Sequence, residues 1–203
     1  MKVAAIVLAA GESRRMGRAK LTLPYGSDGR TIVETVVMVI QATPVYPITV
    51  VLGANWKEIQ FVLSDLGVEL SVNPNPELGM LSSARWALSH LEDTVDAYMF
   101  VLGDQPQIET RIVERILEMA EYSDKGIVLP EYNGKRGHPL LIRARYKGEI
   151  LRLPDTGGLN QLLQAHPDDI EEVPVDTDSI LRDIDTPADY EEAIRDAASI
   201  SET

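Results

Sequence analysis

The chain has 203 residues, no cysteine and a net charge of −13. That length suits one domain, 1–203, with a sizeable core. The missing cysteines exclude disulfides and thiolate chemistry and agree with a cytoplasmic protein, and the acidic balance argues against a nucleic-acid-binding face.

Taken in order, the chain opens with an unbroken apolar run from Val3 to Ala10. A short run rich in Val and Ile predicts a strand buried on both faces of a parallel sheet. It is too short for a signal peptide, and no other apolar stretch approaches the ~20 residues of a membrane span, so no membrane association is expected. At Gly11 the run stops, and Arg14, Arg15, Arg18 and Lys20 follow within seven residues. A glycine-punctuated cationic loop after a buried strand stands at the carboxyl edge of the sheet, where open α/β sheets bind ligands. Its backbone N–H groups can meet an anion, and Arg15 and Lys20 can add charge-assisted hydrogen bonds to phosphate. Two familiar phosphate loops do not fit. Ser13 occupies the second glycine of a dinucleotide fingerprint, and five residues rather than four separate Gly11 from Gly17, with Arg18 next where a P-loop needs Lys.

Strand and helix patterns then alternate. Ile32, Val36, Val37 and Ile40 share a helix face, and Tyr46 to Leu52 reads as a second strand. Asn55 to Leu66 reads as a helix with Trp56, Ile59 and Leu63 inward, followed by a strand at Val68 to Val72. Met80 to Leu91 is helical, with Met80, Ala84, Leu88 and Leu91 on one stripe. Ala97 to Leu102 is a buried strand, and Thr110 to Tyr122 is an amphipathic helix with Ile112, Val113, Ile116 and Leu117 inward. This order calls for a mainly parallel sheet with right-handed crossovers. The rhythm then changes: Ile127 to Pro130 and Pro139 to Ile142 flank Asn133-Gly134, a hairpin signal. A helix near Gly158 to Ala165, a strand near Val173 to Val175, and a last helix capped by Thr186 with Pro187 at its first position complete the chain.

Strand ends carry the remaining candidates. Asp104, in Gly103-Asp104-Gln105-Pro106, follows a central strand and faces the same crevice as the Gly11 loop. It is the first candidate ligand for Mg²⁺, which is held by one or two carboxylates plus substrate phosphates; taken alone it reads more simply as an Asp that opens a turn. Asp185, just before the Thr186 cap, is either a partner of the helix dipole or a second metal ligand, and Asp189 serves the same dipole. Asn55 and Asn73 each follow a strand and read as turn residues.

The order Leu-Ala-Ala-Gly-x-Ser-x-Arg-Met-Gly-x-x-Lys, from Leu8 to Lys20, resembles the signature loop of nucleotidyltransferases that make nucleotide-sugars and nucleotide-cofactors. Gly103-Asp104-Gln105-Pro106, Gly137-His138-Pro139 and Asp183-Ile184-Asp185-Thr186-Pro187 resemble further segments of this MobA-like family, closest to its molybdenum cofactor cytidylyltransferase branch. The resemblance implies an α/β, Rossmann-like three-layer sandwich of nucleotide-diphosphosugar-transferase type, mainly parallel, with a small antiparallel excursion. It implies a Mg²⁺-dependent transfer of CMP from CTP to the terminal phosphate of molybdopterin, releasing pyrophosphate. Leu8, Ala9, Ala10, Gly11, Arg15, Lys20, Asn55, Asn73 and Asp104 would contact the nucleotide, with Gly79-Met80 beside it. Arg15, Lys20 and Asp104 would be catalytic, Asp104 and Asp185 would hold metal, and His138 would meet the acceptor. A molybdoenzyme or its chaperone is a conceivable partner. A sugar-1-phosphate or other small phosphate remains an alternative acceptor, and a non-catalytic cofactor-delivery protein is an alternative of another class. One departure bears on the acceptor. Relatives often carry Gly-Asp-x-Gly-Ala-Arg before Leu-Leu, whereas this chain has Pro154-Asp155-Thr156-Gly157-Gly158-Leu159-Asn160-Gln161, without the arginine.

Overall fold

The computed structural model describes residues 1–92, 94–155 and 157–200. Its strands are Val3–Ala9 (β1), Ile48–Leu52 (β2), Glu69–Val72 (β3), Ala97–Leu102 (β4), Ile127–Tyr132 (β5), Lys135–Arg136 (β6), Leu140–Arg143 (β7) and Ile170–Pro174 (β8). The helices are Ile32–Gln41 (α1), Trp56–Leu63 (α2), Met80–His90 (α3), Thr110–Tyr122 (α4), Lys147–Ile150 (α5), Asn160–Ala165 (α6) and Pro187–Ile200 (α7).

One mixed sheet runs β3-β2-β1-β4-β7-β5-β6, with β8 parallel to β5. β1, β2, β3 and β4 are mutually parallel, as the alternating pattern predicts. Burial explains why β1 is continuously apolar. Val3, Ala5, Val7 and Ala9 join one core with α1, α2, α4 and α7, while Ala4 and Ile6 join the opposite core with α3, α5 and α6. Helices therefore cover both faces, giving three layers. Among the described residues, no helix is long and apolar enough to cross a membrane.

The structure departs from the sequence reading in several places. The antiparallel excursion the sequence implied is present, and its second strand reaches further than a hairpin would. Besides the β5–β6 hairpin, whose turn residues Asn133 and Gly134 take φ of 50° and 78°, β7 enters the body of the sheet and pairs antiparallel with β4 and β5. Tyr46 lies outside β2 and is 77% exposed, although its N–H still donates to the Val3 carbonyl and Pro47, which has no N–H of its own, accepts from Ala5. Trp56, expected inward, is 37% exposed; it is the first residue of its helix, before the face turned to the core is established. β8 starts earlier than Val173, α6 starts later than Gly158, and α5 had no sequence counterpart. Thr156 of the acceptor-side segment lies outside the described residues.

Candidate active site

β1 and β4 lie side by side with Leu8 opposite Leu102, so both chains leave the sheet at the same edge. Neighbouring glycines let them run close together. A Cβ on Gly103 would stand 3.0 Å from the Leu8 carbonyl oxygen, and one on Gly53, just after β2, would stand 2.3 Å from that of Ala10. The turn after β1 is thereby seated between two backbones.

Beyond Gly11 the loop folds on its own short contacts. Ser13 takes the left-handed φ of 53°, which turns the chain into a 3₁₀ turn at Arg14–Met16. Buried Met16 anchors that turn in the core, and Gly17, at φ 66°, ends it. A second 3₁₀ turn, Lys20–Thr22, follows, and the Lys20 N–H donates to Ser13 Oγ at 3.2 Å. This geometry sends the Lys20 side chain inward, leaving it only 8% exposed.

Three elements converge there. Lys20 Nζ donates to Asp104 Oδ2 at 2.7 Å and to Asp185 Oδ1 at 2.9 Å. Arg15, at the rim and 68% exposed, donates to the other Asp185 oxygen at 2.7 Å. The Asp185 loop is itself fixed. Asp189 accepts from the backbone N–H groups of Asp185 and Thr186, and its own N–H donates to Thr186 Oγ1, forming a capping box at the start of α7. Asp189 therefore holds the Asp185 backbone as well as serving the helix dipole. The Ile184 N–H donates to the Asp104 carbonyl at 3.0 Å, and buried Gln105 donates from Nε2 to Asp183 Oδ1 at 2.7 Å and to the Ile180 carbonyl at 3.3 Å. These bonds tie the loop after β4 to the loop before α7.

The electrostatics follow from this clustering. Burial disfavours the Lys20 ammonium, but Asp104 and Asp185 outweigh it and raise its pKa above the ordinary lysine value. Burial likewise opposes the Asp185 carboxylate, yet Lys20 and Arg15 hold it below its usual range. At the crevice rim, desolvation and the Asp104 charge push the Asp183 carboxyl up, against the Gln105 hydrogen bond. Burial lowers the His138 imidazole to about 4, against the attraction of Asp104, so it stays neutral at physiological pH.

A crevice of about 420 Å³ opens over this cluster, lined by Leu8, Ala9, Ala10, Gly11, Arg15, Lys20, Asp104 and Asp185 among others. An adjoining lobe of about 330 Å³ shares Ala10, Asp104 and Asp185 and extends to Gly79, Met80, Ser83 and Asp183. Most of the sequence candidates are thus brought together, but neither asparagine is part of either lining. Asn55 stands at the start of α2, where its carbonyl accepts from the Ile59 N–H. Asn73 is buried: its amide donates to Ser82 and Ser83 at 3.1 Å each and accepts from the Asn75 N–H. It fastens the end of β3 to α3 and orients Ser83. His138 lies outside both linings, with its backbone N–H on the Ile180 carbonyl. Sequence reasoning did not single out Ser83, and it quoted Gln105 and Asp183 only as members of their motifs, with no role of their own. Only the Asp-x-Asp spacing of Asp183 and Asp185 gave a hint of the last.

Hard oxygen donors decide whether a divalent cation fits. Asp104 and Asp185 already converge on one positive point, the Lys20 ammonium, at 2.7 and 2.9 Å. Among the described residues no cluster of three or more His, Cys, Asp or Glu could enclose a metal by itself. Two carboxylates with room for phosphate oxygens form the donor set of a Mg²⁺-type site completed by its substrate. The residues present fit such an ion.

With this geometry, residues 5–170 match the MobA-like NTP transferase domain family. The chain belongs to that family. It is similar to the molybdenum cofactor cytidylyltransferase of Escherichia coli (strain K12), 27% identical over 187 residues that cover 91% of this chain and 92% of that one. It is also similar to a probable molybdenum cofactor guanylyltransferase of Mycobacterium avium (strain 104), 28% identical over 194 residues covering 93% of each. Among solved structures, Rv0371c from Mycobacterium tuberculosis H37Rv superposes with a TM-score of 0.85 at 27% identity, covering 96% of this chain and 98% of that one. Its complex with manganese gives 0.80 at 25% identity, with coverage of 96% and 99%. The MobA-like chain is a nucleotidyltransferase, and its relatives' names divide between cytidylyl and guanylyl transfer.

Proposed function

We propose that the protein, acting as one domain over residues 1–203, transfers CMP from CTP to the terminal phosphate of molybdopterin and releases pyrophosphate. The carrying observation is the convergence of Lys20, Arg15, Asp104 and Asp185 on one crevice beside the Gly11 loop. The two named relatives support the acceptor, and the cytidylyltransferase among them supports the base.

In this reading an oxygen of the acceptor phosphate forms a bond to the α-phosphorus of CTP while the bond from that phosphorus to the bridging β-phosphate oxygen breaks. The acceptor is the nucleophile, so the protein's contribution is positioning and charge stabilisation. Backbone groups of Ala9, Ala10 and Gly11 border the nucleotide. Lys20 and Arg15 turn from the carboxylates to the phosphates and stabilise the negative charge on the departing pyrophosphate. A divalent cation, Mg²⁺ by this proposal, would be held by Asp104 and Asp185 and would supply Lewis-acid neutralisation of phosphate oxygens when bound; the manganese complex of Rv0371c supports a divalent ion. The base occupies the lobe between Ala10 and Ser83. Because Ser83 Oγ accepts from Asn73, its own proton is free to donate to a pyrimidine acceptor atom. His138, outside both linings and neutral, would have to meet the acceptor beyond the crevice, where it could exchange a hydrogen bond without adding charge.

The test is pyrophosphate release by purified protein against a panel of nucleoside triphosphates, with Mg²⁺ and either molybdopterin or a sugar-1-phosphate. Release with CTP and molybdopterin is expected. Release only with the sugar phosphate would move the acceptor. Binding without any release would mark a delivery protein.

A further inference from the structure

Asp104 and Asp185 are the proposed metal ligands, yet in this structure they share the ammonium of Lys20, whose side chain is 8% exposed. We propose that Lys20 is a built-in counter-cation that keeps the metal position closed until a triphosphate arrives. Divalent metal alone then binds weakly, and metal and nucleotide bind with strong mutual reinforcement. This inference rests on the metal position given in the proposed function.

The argument compares what each cation leaves behind. Lys20 is not a free surface lysine. Its turn is fixed by its own N–H on Ser13 Oγ and by the Leu23 N–H on its carbonyl, and Leu21 next to it is buried. A metal ion entering alone must displace the ammonium from both carboxylates and leave it desolvated without an anion. Breaking a pair in this one-sided way is costly where the stranded group is itself shielded, as the Lys20 ammonium is, because it has lost most of its water as well as its partner. A triphosphate changes the balance. Its oxygens give the Lys20 ammonium a replacement anion a short swing away, and the carboxylates become available to the metal. Arg15 behaves differently. It also pairs with Asp185, but its side chain is 68% exposed, so water can take over when it leaves. The block therefore sits on Lys20. The coupling must be reciprocal: whatever factor nucleotide adds to metal affinity, metal adds to nucleotide affinity.

The test uses Mn²⁺ as an EPR-visible probe, titrated into the full-length protein without nucleotide. Lys20→Met, which keeps the length and removes the charge, is expected to bind Mn²⁺ roughly tenfold to a thousandfold more tightly than wild type, the range over which one adjacent charge shifts a carboxylate's affinity for a proton. Adding Asp104→Asn to that variant is expected to abolish the gain. Equal or weaker Mn²⁺ binding by Lys20→Met would overturn the proposal, as would a gain that persists without Asp104. A second arm needs no variant. Wild-type protein with inorganic tripolyphosphate, after correction for the complex formed in solution, should bind Mn²⁺ at least about tenfold more tightly than without it. Unchanged affinity there would overturn the proposal even if Lys20→Met failed to fold. Neither arm contains a base or an acceptor. A protein that fails to transfer CMP can still pass, and one that transfers CMP can fail. Mn²⁺ binding indifferent to Asp104 in every arm would instead remove the metal position itself.

Discussion

Gly53→Ala probes how the turn after β1 is seated. A methyl group there would lie 2.3 Å from the Ala10 carbonyl oxygen and 2.9 Å from its carbonyl carbon. Both atoms are backbone, so no flexible side chain can yield. Restoring ordinary contact requires a shift of roughly 1 Å between the end of β2 and the turn after β1. Overpacking of this kind costs about 1–3 kcal/mol, and at this chain length each kcal/mol moves the melting temperature by about 2–4 °C. The expected loss is therefore about 2–12 °C. Ala10 also lines the crevice, so the same displacement should lower kcat/KM for the nucleotide by up to ~100-fold, the typical effect of misplacing reacting groups by an ångström. Gly11→Ala is the matched control for stability: nothing lies within 4 Å of its added Cβ, so its melting temperature should stay at the wild-type value. Thermal melts and nucleotide kinetics on the two variants check this. A Gly53→Ala protein that melts and turns over like wild type would refute the close-seating argument.

Further expectations concern charge, base and pH. Arg15→Ala and Lys20→Ala should each reduce kcat by about 10²–10³, while Arg14→Ala and Arg18→Ala should stay near wild type, since Arg14 is taken up by Glu12 and Arg18 lies over the Tyr190 ring. Equal losses in all four, measured well below each melting temperature, would reduce the loop to a diffuse basic patch. Ala10→Gly should relax a preference for CTP over GTP by ~1–3 kcal/mol at most without reversing it, because glycine widens the wall for a purine; kcat/KM for both nucleotides in both proteins decides this. His138, with its pKa lowered to about 4, should show no ring-nitrogen NMR shift between pH 7.5 and 5.5. As a half-buried neutral group with a depressed folded value, it contributes stability above the ordinary histidine range, and that contribution is lost as pH falls from about 6.5 toward about 4. A His138 resonance titrating near 6.5 would contradict the desolvation of its ring.

Local pattern carried much of the fold. β1 and β4 are continuous apolar runs because both faces of the sheet are covered, and α4 shows its buried Ile112, Val113 and Ile116 at helical spacing. Asn133-Gly134 announced its turn through residues that accept positive φ. The insertion of β7 between β4 and β5 had no such signal, since non-local strand pairing leaves no mark on either strand. Trp56 misled because the helical period cannot say what the first residue of a helix faces. At the site, the loop and Asp104 were legible because glycine and charge in that order have few other uses. Lys20 was legible as a cation but not as a buried one; its burial follows from the left-handed Ser13 and the turn after it. The close approach of Gly53 and the partners of Ser83, Gln105 and Asp183 exist only once separate segments meet, so no single stretch could display them.

The most direct measurement follows the fate of labelled phosphorus. CTP labelled at the α-phosphate, incubated with Mg²⁺, molybdopterin and the protein, should deliver its label to the pterin product in step with pyrophosphate release and leave none on the protein. CTP labelled at the γ-phosphate should deliver its label only to pyrophosphate. Label passing from the γ position to the acceptor, or α-label retained on the protein as an intermediate, would contradict direct nucleotidyl transfer at the Lys20–Asp104–Asp185 crevice.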